Sequence, residues 1–264
     1  MLDLPQDIRR GEAMRRYKIT DDIPFRVQLS WFNLSFTAGA INAGGFLSCQ
    51  RFVSHVTGFI TISGLNFGQR AWQEALSAIS IPAFFLLGAI ISAFLTEQNA
   101  NDQRLSKNFA WTMGIVSATL AVIVIFGNTG HFGAFGVTEN IQADYIQIAL
   151  LCMICGVQNA AVSSLTGSSV RPTHLTGTTT DIGIGFIRAL RSIGNRDIHR
   201  EEVRTNWRRV NLVIAFVAGV MVGSAFFFRL NYWGFALPLL TSLASMIESI
   251  LDARSVRSSM IVQK

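Results

Sequence analysis

Charge is almost absent from six long blocks of this chain, residues 31–49, 76–95, 109–126, 145–165, 210–228 and 232–247. About 20 consecutive apolar residues cross the hydrocarbon core of a bilayer as a helix, so the pattern predicts six membrane-spanning helices. The first block is the mildest, because Asn33, Thr37, Asn42 and several glycines interrupt it. Polar connections separate the blocks. Residues 96–108 carry Glu97, Asp102, Arg104 and Lys107 and read as a polar loop. Residues 127–142 lack Lys and Arg, and glycines at 127, 130, 133 and 136 predict an irregular loop. They do not form a phosphate cradle, since no strand precedes them and no Lys follows. Pro82 and Pro238 are expected to kink their helices. The phenylalanines at 84, 85, 226, 227 and 228 read as packing or lipid-facing surface.

Two polar runs break this apolar pattern, and they match each other. Gly39-x-x-Asn42-Ala43 leads to His55-x-Thr57-Gly58-x-x-Thr61-x-x-Gly64-x-x-Phe67. Gly156-x-x-Asn159-Ala160 leads to His174-x-Thr176-Gly177-x-x-Thr180-x-x-Gly183-x-x-Phe186. From His to Phe the register is identical, and small residues one turn apart follow in the next span of each half, Gly88/Ser92 and Gly219/Gly223. The chain therefore reads as an internal duplication. If each His-x-Thr-Gly segment is a broken or re-entrant helix without a net crossing, each half holds three crossings and the second copy is inverted. The expected fold class is an all-α polytopic membrane bundle of two inverted repeats. Its expected divisions are a basic leader 1–28, a first repeat 29–128, an external linker 129–142, a second repeat 143–250 and a tail 251–264.

The balance of charge supports that topology. The chain has 264 residues, 50% hydrophobic and only 14% charged, with formal net charge +6. A soluble domain carries roughly 25% charged residues. The basic residues cluster in the leader, in an arginine-rich loop at 188–209 and at the C-terminus, which the positive-inside rule assigns to the cytoplasm. Eight full crossings would move the Lys- and Arg-free loop 127–142 inside, so six are favoured. Membrane orientation accounts for the basicity without nucleic acid. The leader is expected to lie on the membrane surface or to be a loosely ordered tail. It delays the first apolar block to about Trp31, and no small-x-small site follows, so that block reads as a retained span. Cys49, Cys152 and Cys155 fall at membrane depth and read as packing residues, with no further ligands to complete a metal set.

At Asn42-Ala43-Gly44-Gly45-Phe46, Ser54-His55-Val56-Thr57-Gly58, Gln158-Asn159-Ala160 and Thr173 through Ile184 the chain resembles the YoaK family of bacterial multi-pass membrane proteins. The resemblance extends over most of residues 30–250. It implies an inner-membrane protein of that fold and carries no established substrate or activity.

Inverted repeats with interrupted helices are a recurrent plan of secondary transporters, with the site where the repeats meet. Scarce hydrophilic groups at membrane depth mark such sites. The expected solute-binding residues are Asn42, His55, Thr57, Gly58, Asn159, His174, Thr176, Gly177, Thr180 and Asp181, with Asp181 and a histidine exchanging protons or a cation. Each has a structural alternative. Asp181 would pair with Arg188 or a threonine hydroxyl, each imidazole would cap its helix, and the threonines would bond back to helical carbonyls. The expected function is a transporter or channel for a small polar or ionic solute, with a non-transporting scaffold, sensor or assembly factor as the rival. No catalytic nucleophile motif surrounds Ser54, Ser163 or Ser164, so no enzyme, metal or cofactor is expected. The expected partners are the lipid bilayer, the solute and a second copy of the chain.

Overall fold

The computed structural model describes residues 17–97, 102–138 and 141–262, and these contain helices and turns but no strand. In chain order the helices are α1 (Phe25–Cys49), α2 (Val56–Gly68), α3 (Trp72–Thr96), α4 (Asp102–Asn128), α5 (Ile141–Leu165), α6 (Leu175–Arg191), α7 (Arg196–Leu230) and α8 (Ala236–Val262). A 3-10 turn, Asn231–Phe235, joins the last two.

Among the described residues, four helical stretches are long and apolar enough to cross a membrane: Trp72–Thr96, Leu105–Asn128, Asp144–Leu165 and Arg196–Ser255. The last, a run of 60 residues, holds both of the final two expected spans. The first expected span is helical as α1 but falls outside this set. Its position explains its composition: Trp31, Leu34, Ser35, Thr37, Ala38, Gly39, Ala40 and Ile41 are all buried by other helices. A helix clad in protein does not need an apolar coat against lipid.

Side-chain contacts fix the direction of each helix pair. Gly219 lies on Phe36, Gly223 on Ala40 and Gly44 on Phe227, so α1 and α7 run the same way. Ser80 bonds Tyr145 at 2.5 Å and Thr96 bonds Ser164 at 3.0 Å, so α3 and α5 also run together. In contrast, Gln158 donates to the Leu34 carbonyl and Gln147 to Ser48, which makes α1 and α5 antiparallel. The Ser117–Ser242 bond and the Ser249 bond to the Ser106 carbonyl do the same for α4 and α8.

The two parallel crossings are close backbone contacts. A Cβ added at Gly39 would drive into the Phe216 carbonyl oxygen, and one at Gly219 into that of Phe36. At the other crossing, Gly88 meets the Met153 carbonyl and Gly156 that of Phe85. Small residues that let backbones touch are how membrane helices associate without a hydrophobic drive between them.

Three sequence expectations change in the structure. The arginine-rich segment 188–209 is not a loop: α6 runs to Arg191, and α7 begins at Arg196. Asn195 caps that start by accepting from the Asp197 and Ile198 backbone N–H groups, with Asp197 in the first turn. The polar loop 96–108 is shorter than expected, since α4 begins at Asp102. Pro238 sits in the first turn of α8, where a missing N–H costs nothing. Phe227 is fully buried against Phe235, the packing alternative among the roles expected for it.

The leader is a docked segment where it is described. Ile19 and Ile23 are buried, and the Ile19 backbone N–H donates to Ser169 at 3.0 Å. Residues 1–16 lie outside the described residues.

Candidate solute site

The chain reverses sharply after α1 and again after α5. Gln50 takes up a left-handed conformation at φ 55°, as does Gly167 at the same φ after α5. The chain then returns along the helix it has just left. Asn42, about two turns before the end of α1, accepts a 3.0 Å bond from the Ser54 hydroxyl. Asn159 holds Thr173 in the corresponding way, accepting from its backbone N–H at 3.2 Å and donating to its hydroxyl. The next residue in each copy, His55 or His174, is the first residue before its short helix.

Neither histidine makes the capping hydrogen bond expected as its structural alternative. Each ring instead folds over the glycine three residues on. A Cβ at Gly58 would lie 2.8 Å from His55 Nδ1, and one at Gly177 would lie 2.8 Å from His174 Nδ1. Glycine at these positions is what lets the ring lie across the first turn. The threonines do follow their structural alternative in part. Thr61, Thr178 and Thr180 bond back to the carbonyls of Thr57, His174 and Thr176.

The two motifs are not brought together. Among the described residues α2 packs on α3 and α6 packs on α7, with no contact between α2 and α6. His55, Thr57, His174, Thr176, Thr180 and Asp181 are all exposed on these flanking helices. Asp181 forms no ion pair with Arg188 or any other described residue. The single shared site expected from the sequence is therefore replaced by two separate polar helix starts.

A cavity of about 770 Å³ opens where α1 ends and α3 and α5 begin. Phe59, Ile62 and Asn66 of α2 form one wall, on the helical face that continues from His55. Gln73, Glu74 and Ser77 of α3, Asp144 and Tyr145 of α5, and Gln50 and Arg51 form the rest, with Ile81 and Ile148 towards the interior. Neither carboxylate forms an ion pair among the described residues. Sequence reasoning missed these residues. Glu74 and Asp144 each begin a long apolar run, a position that reads equally well as a polar boundary.

Long apolar helices, close small-residue crossings and a partly polar cavity between helices define a multi-helix membrane protein. The chain belongs to the family described as protein of unknown function (DUF1275), whose model matches residues 31–247. That membership is consistent with the YoaK resemblance. No curated protein and no solved structure matches the chain significantly.

Proposed function

We propose that this protein moves a small polar solute bearing a positive group across the membrane, using two inverted repeats. The observation that carries the reading is the cavity between helices of both halves, lined by Glu74 and Asp144 against the single cation Arg51. Two carboxylates without ion-pair partners, facing one cavity, favour a cationic group.

The repeat reading draws on the crossings. Gly39 and Gly156 occupy the same place in the two sequence copies, as do Gly88 and Gly219. Each copy's first helix packs on the other copy's third, through the same carbonyl positions three residues back. The first helices oppose each other, as do the last. An axis in the membrane plane produces such a set. In this reading α2 and α6 are re-entrant helices that start at the Asn42 and Asn159 brackets. The basic end of the bundle, where α1 begins, faces the cytoplasm of the inner membrane, and the cavity opens outward. The exposed apolar face of α3, with Leu76, Ile79, Leu86, Ile90 and Phe94, meets lipid or a second copy. Carrying a solute requires no bond to be made or broken, so no enzymatic step is assigned. Protons competing for the two carboxylates provide the route to coupling.

The test starts with detergent-purified protein and a thermal-shift screen of methylammonium, guanidinium, choline and basic and neutral amino acids. Stabilising solutes then go into proteoliposome flux assays with and without a pH gradient. Glu74→Gln and Asp144→Asn are each expected to cut flux at least about tenfold, the loss of about 1.4 kcal/mol of favourable interaction. Native flux in both variants overturns the reading.

A further inference from the structure

Inverted repeats place a second mouth at the opposite end of the molecule, and the chain's own N-terminal segment sits there. This inference rests on the transporter reading above. Counting from the paired glycines, Ser77 and Ile81 of the open cavity correspond to Arg208 and Leu212, and Tyr145 and Ile148 to Gln28 and Trp31. Those four residues line a small groove of about 130 Å³ at the end where α1 begins, beside Phe25, Leu29 and Asn211. The groove is thus the counterpart of the large cavity, reduced to a remnant.

Residues 17–24 account for the difference. Ile19 and Ile23 are buried, at 4% and 5% exposure. Arg208, itself 6% exposed, donates to the carbonyls of Ile19 at 2.8 Å and Asp21 at 2.5 Å. Asp22 pairs with Arg204 at 3.0 Å, and Ser169, in the loop before α6, accepts from the Ile19 N–H. The segment is bound on two sides, by α7 and by the loop before α6.

On the same turn of α7, polar groups are incompletely used. Thr205 Oγ1, Asn206 Oδ1 and Arg208 Nε are buried without a hydrogen-bond partner. Buried polar atoms are normally satisfied, because each orphan costs about 1–3 kcal/mol. Three within one turn of α7 signal a surface built for another state, in which water or solute reaches them. On α6, Gly185 lies against Asn206 and Arg209 of α7, and Asp181 follows one turn earlier on the same side of α6. Asp181 takes the place that Ile62 holds in the open cavity.

We propose that Thr205, Asn206, Arg208 and Asp181 line the inner mouth of the solute path, and that residues 17–24 are a plug that must leave for it to open. Solute binding and release on this side are then gated by a segment outside the membrane bundle.

The experiment uses the full chain with Cys49, Cys152 and Cys155 replaced by Ala, reconstituted in proteoliposomes. Leu212→Cys reports the groove through its labelling rate with a membrane-impermeant maleimide. Ile19→Ser with Ile23→Ser loosens the plug, and Asp22→Ala with Arg204→Ala, both on the surface, loosens it without touching a buried side chain. Either is expected to raise labelling about tenfold, as a local opening becomes more frequent. For locking, oxidised Ile19→Cys with Ser169→Cys, whose Cα atoms the Ile19 N–H bond to Ser169 keeps within about 7 Å, in a chain without the Leu212 reporter, is expected to abolish methylammonium or guanidinium flux, with recovery on reduction. Equal labelling in native and loosened proteins overturns the plug. Normal flux in the oxidised protein overturns its place on the path. A native protein that moves none of the screened solutes sinks the transporter reading instead, and labelling still decides the plug.

Discussion

Glycine at the two helix crossings is required by the backbone opposite, and glycine at positions 64 and 183 of the flanking helices α2 and α6 is not. Gly39 and Gly156 face carbonyl oxygens that have no rotamer by which to move aside. Gly39→Ala and Gly156→Ala are therefore expected to push their helix pairs apart and cost about 1–3 kcal/mol each, the usual range for overpacking. Gly64 and Gly183 share the motif register with each other, yet a Cβ at either meets nothing within 4 Å. Alanine there is expected to be neutral or to stabilise by up to about 1 kcal/mol through lower chain entropy. Thermal unfolding in one detergent, with all four variants side by side, checks both halves of the statement. The bracket residues fall between. Asn42→Ala removes one side-chain bond, to Ser54, while Asn159→Ala removes two, to Thr173. The second substitution should cost more, at about 1 kcal/mol per bond.

Among the elements, α7 departs furthest from its sequence reading. Its first turns carry Arg196, Arg200, Arg204, Arg208 and Arg209 with Glu201 and Glu202, and charge density there reads as a loop between membrane spans. The polar start is held by Asn195, which satisfies two orphan N–H groups of the helix. Asn195→Ala is expected to cost about 1 kcal/mol. The loss should appear as faster amide hydrogen exchange confined to the start of α7, and uniform exchange across α7 in the variant would contradict the capping role. Apolar blocks, the two matching His-x-Thr-Gly segments and the polar helix starts could be read from residue order, because each is written in a local period or spacing. The cavity could not. Arg51, Asn66, Glu74 and Asp144 come from four separate segments, and only the packing of α2 on α3 beside α5 places them around one space. Asp181, a lone carboxylate in an apolar run, lies on an exposed face of the flanking helix α6 with no ion pair among the described residues.

For the whole molecule the decisive property is relative direction, because a duplication by itself allows the halves to point the same way. Two copies in the same orientation would make α1 and α5 parallel. The structure instead sets Ser48 beside Gln147 and Leu34 beside Gln158, while Ser80 meets Tyr145 and Thr96 meets Ser164 on the parallel pair α3 and α5. Cysteine pairs in a chain otherwise free of cysteine convert these contacts into a test. Thr96→Cys with Ser164→Cys, two short side chains whose hydroxyls meet at 3.0 Å, is expected to form a disulfide on mild oxidation in membranes. Thr96→Cys with Tyr145→Cys is expected to stay reduced, since those positions lie at opposite ends of the bundle and a disulfide bridges only Cα atoms within about 7 Å. Mass spectrometry of the cross-linked peptides reads each pair. Closure of the second pair with failure of the first would reverse the direction of α3 against α5 and remove the geometric basis for a two-mouthed path.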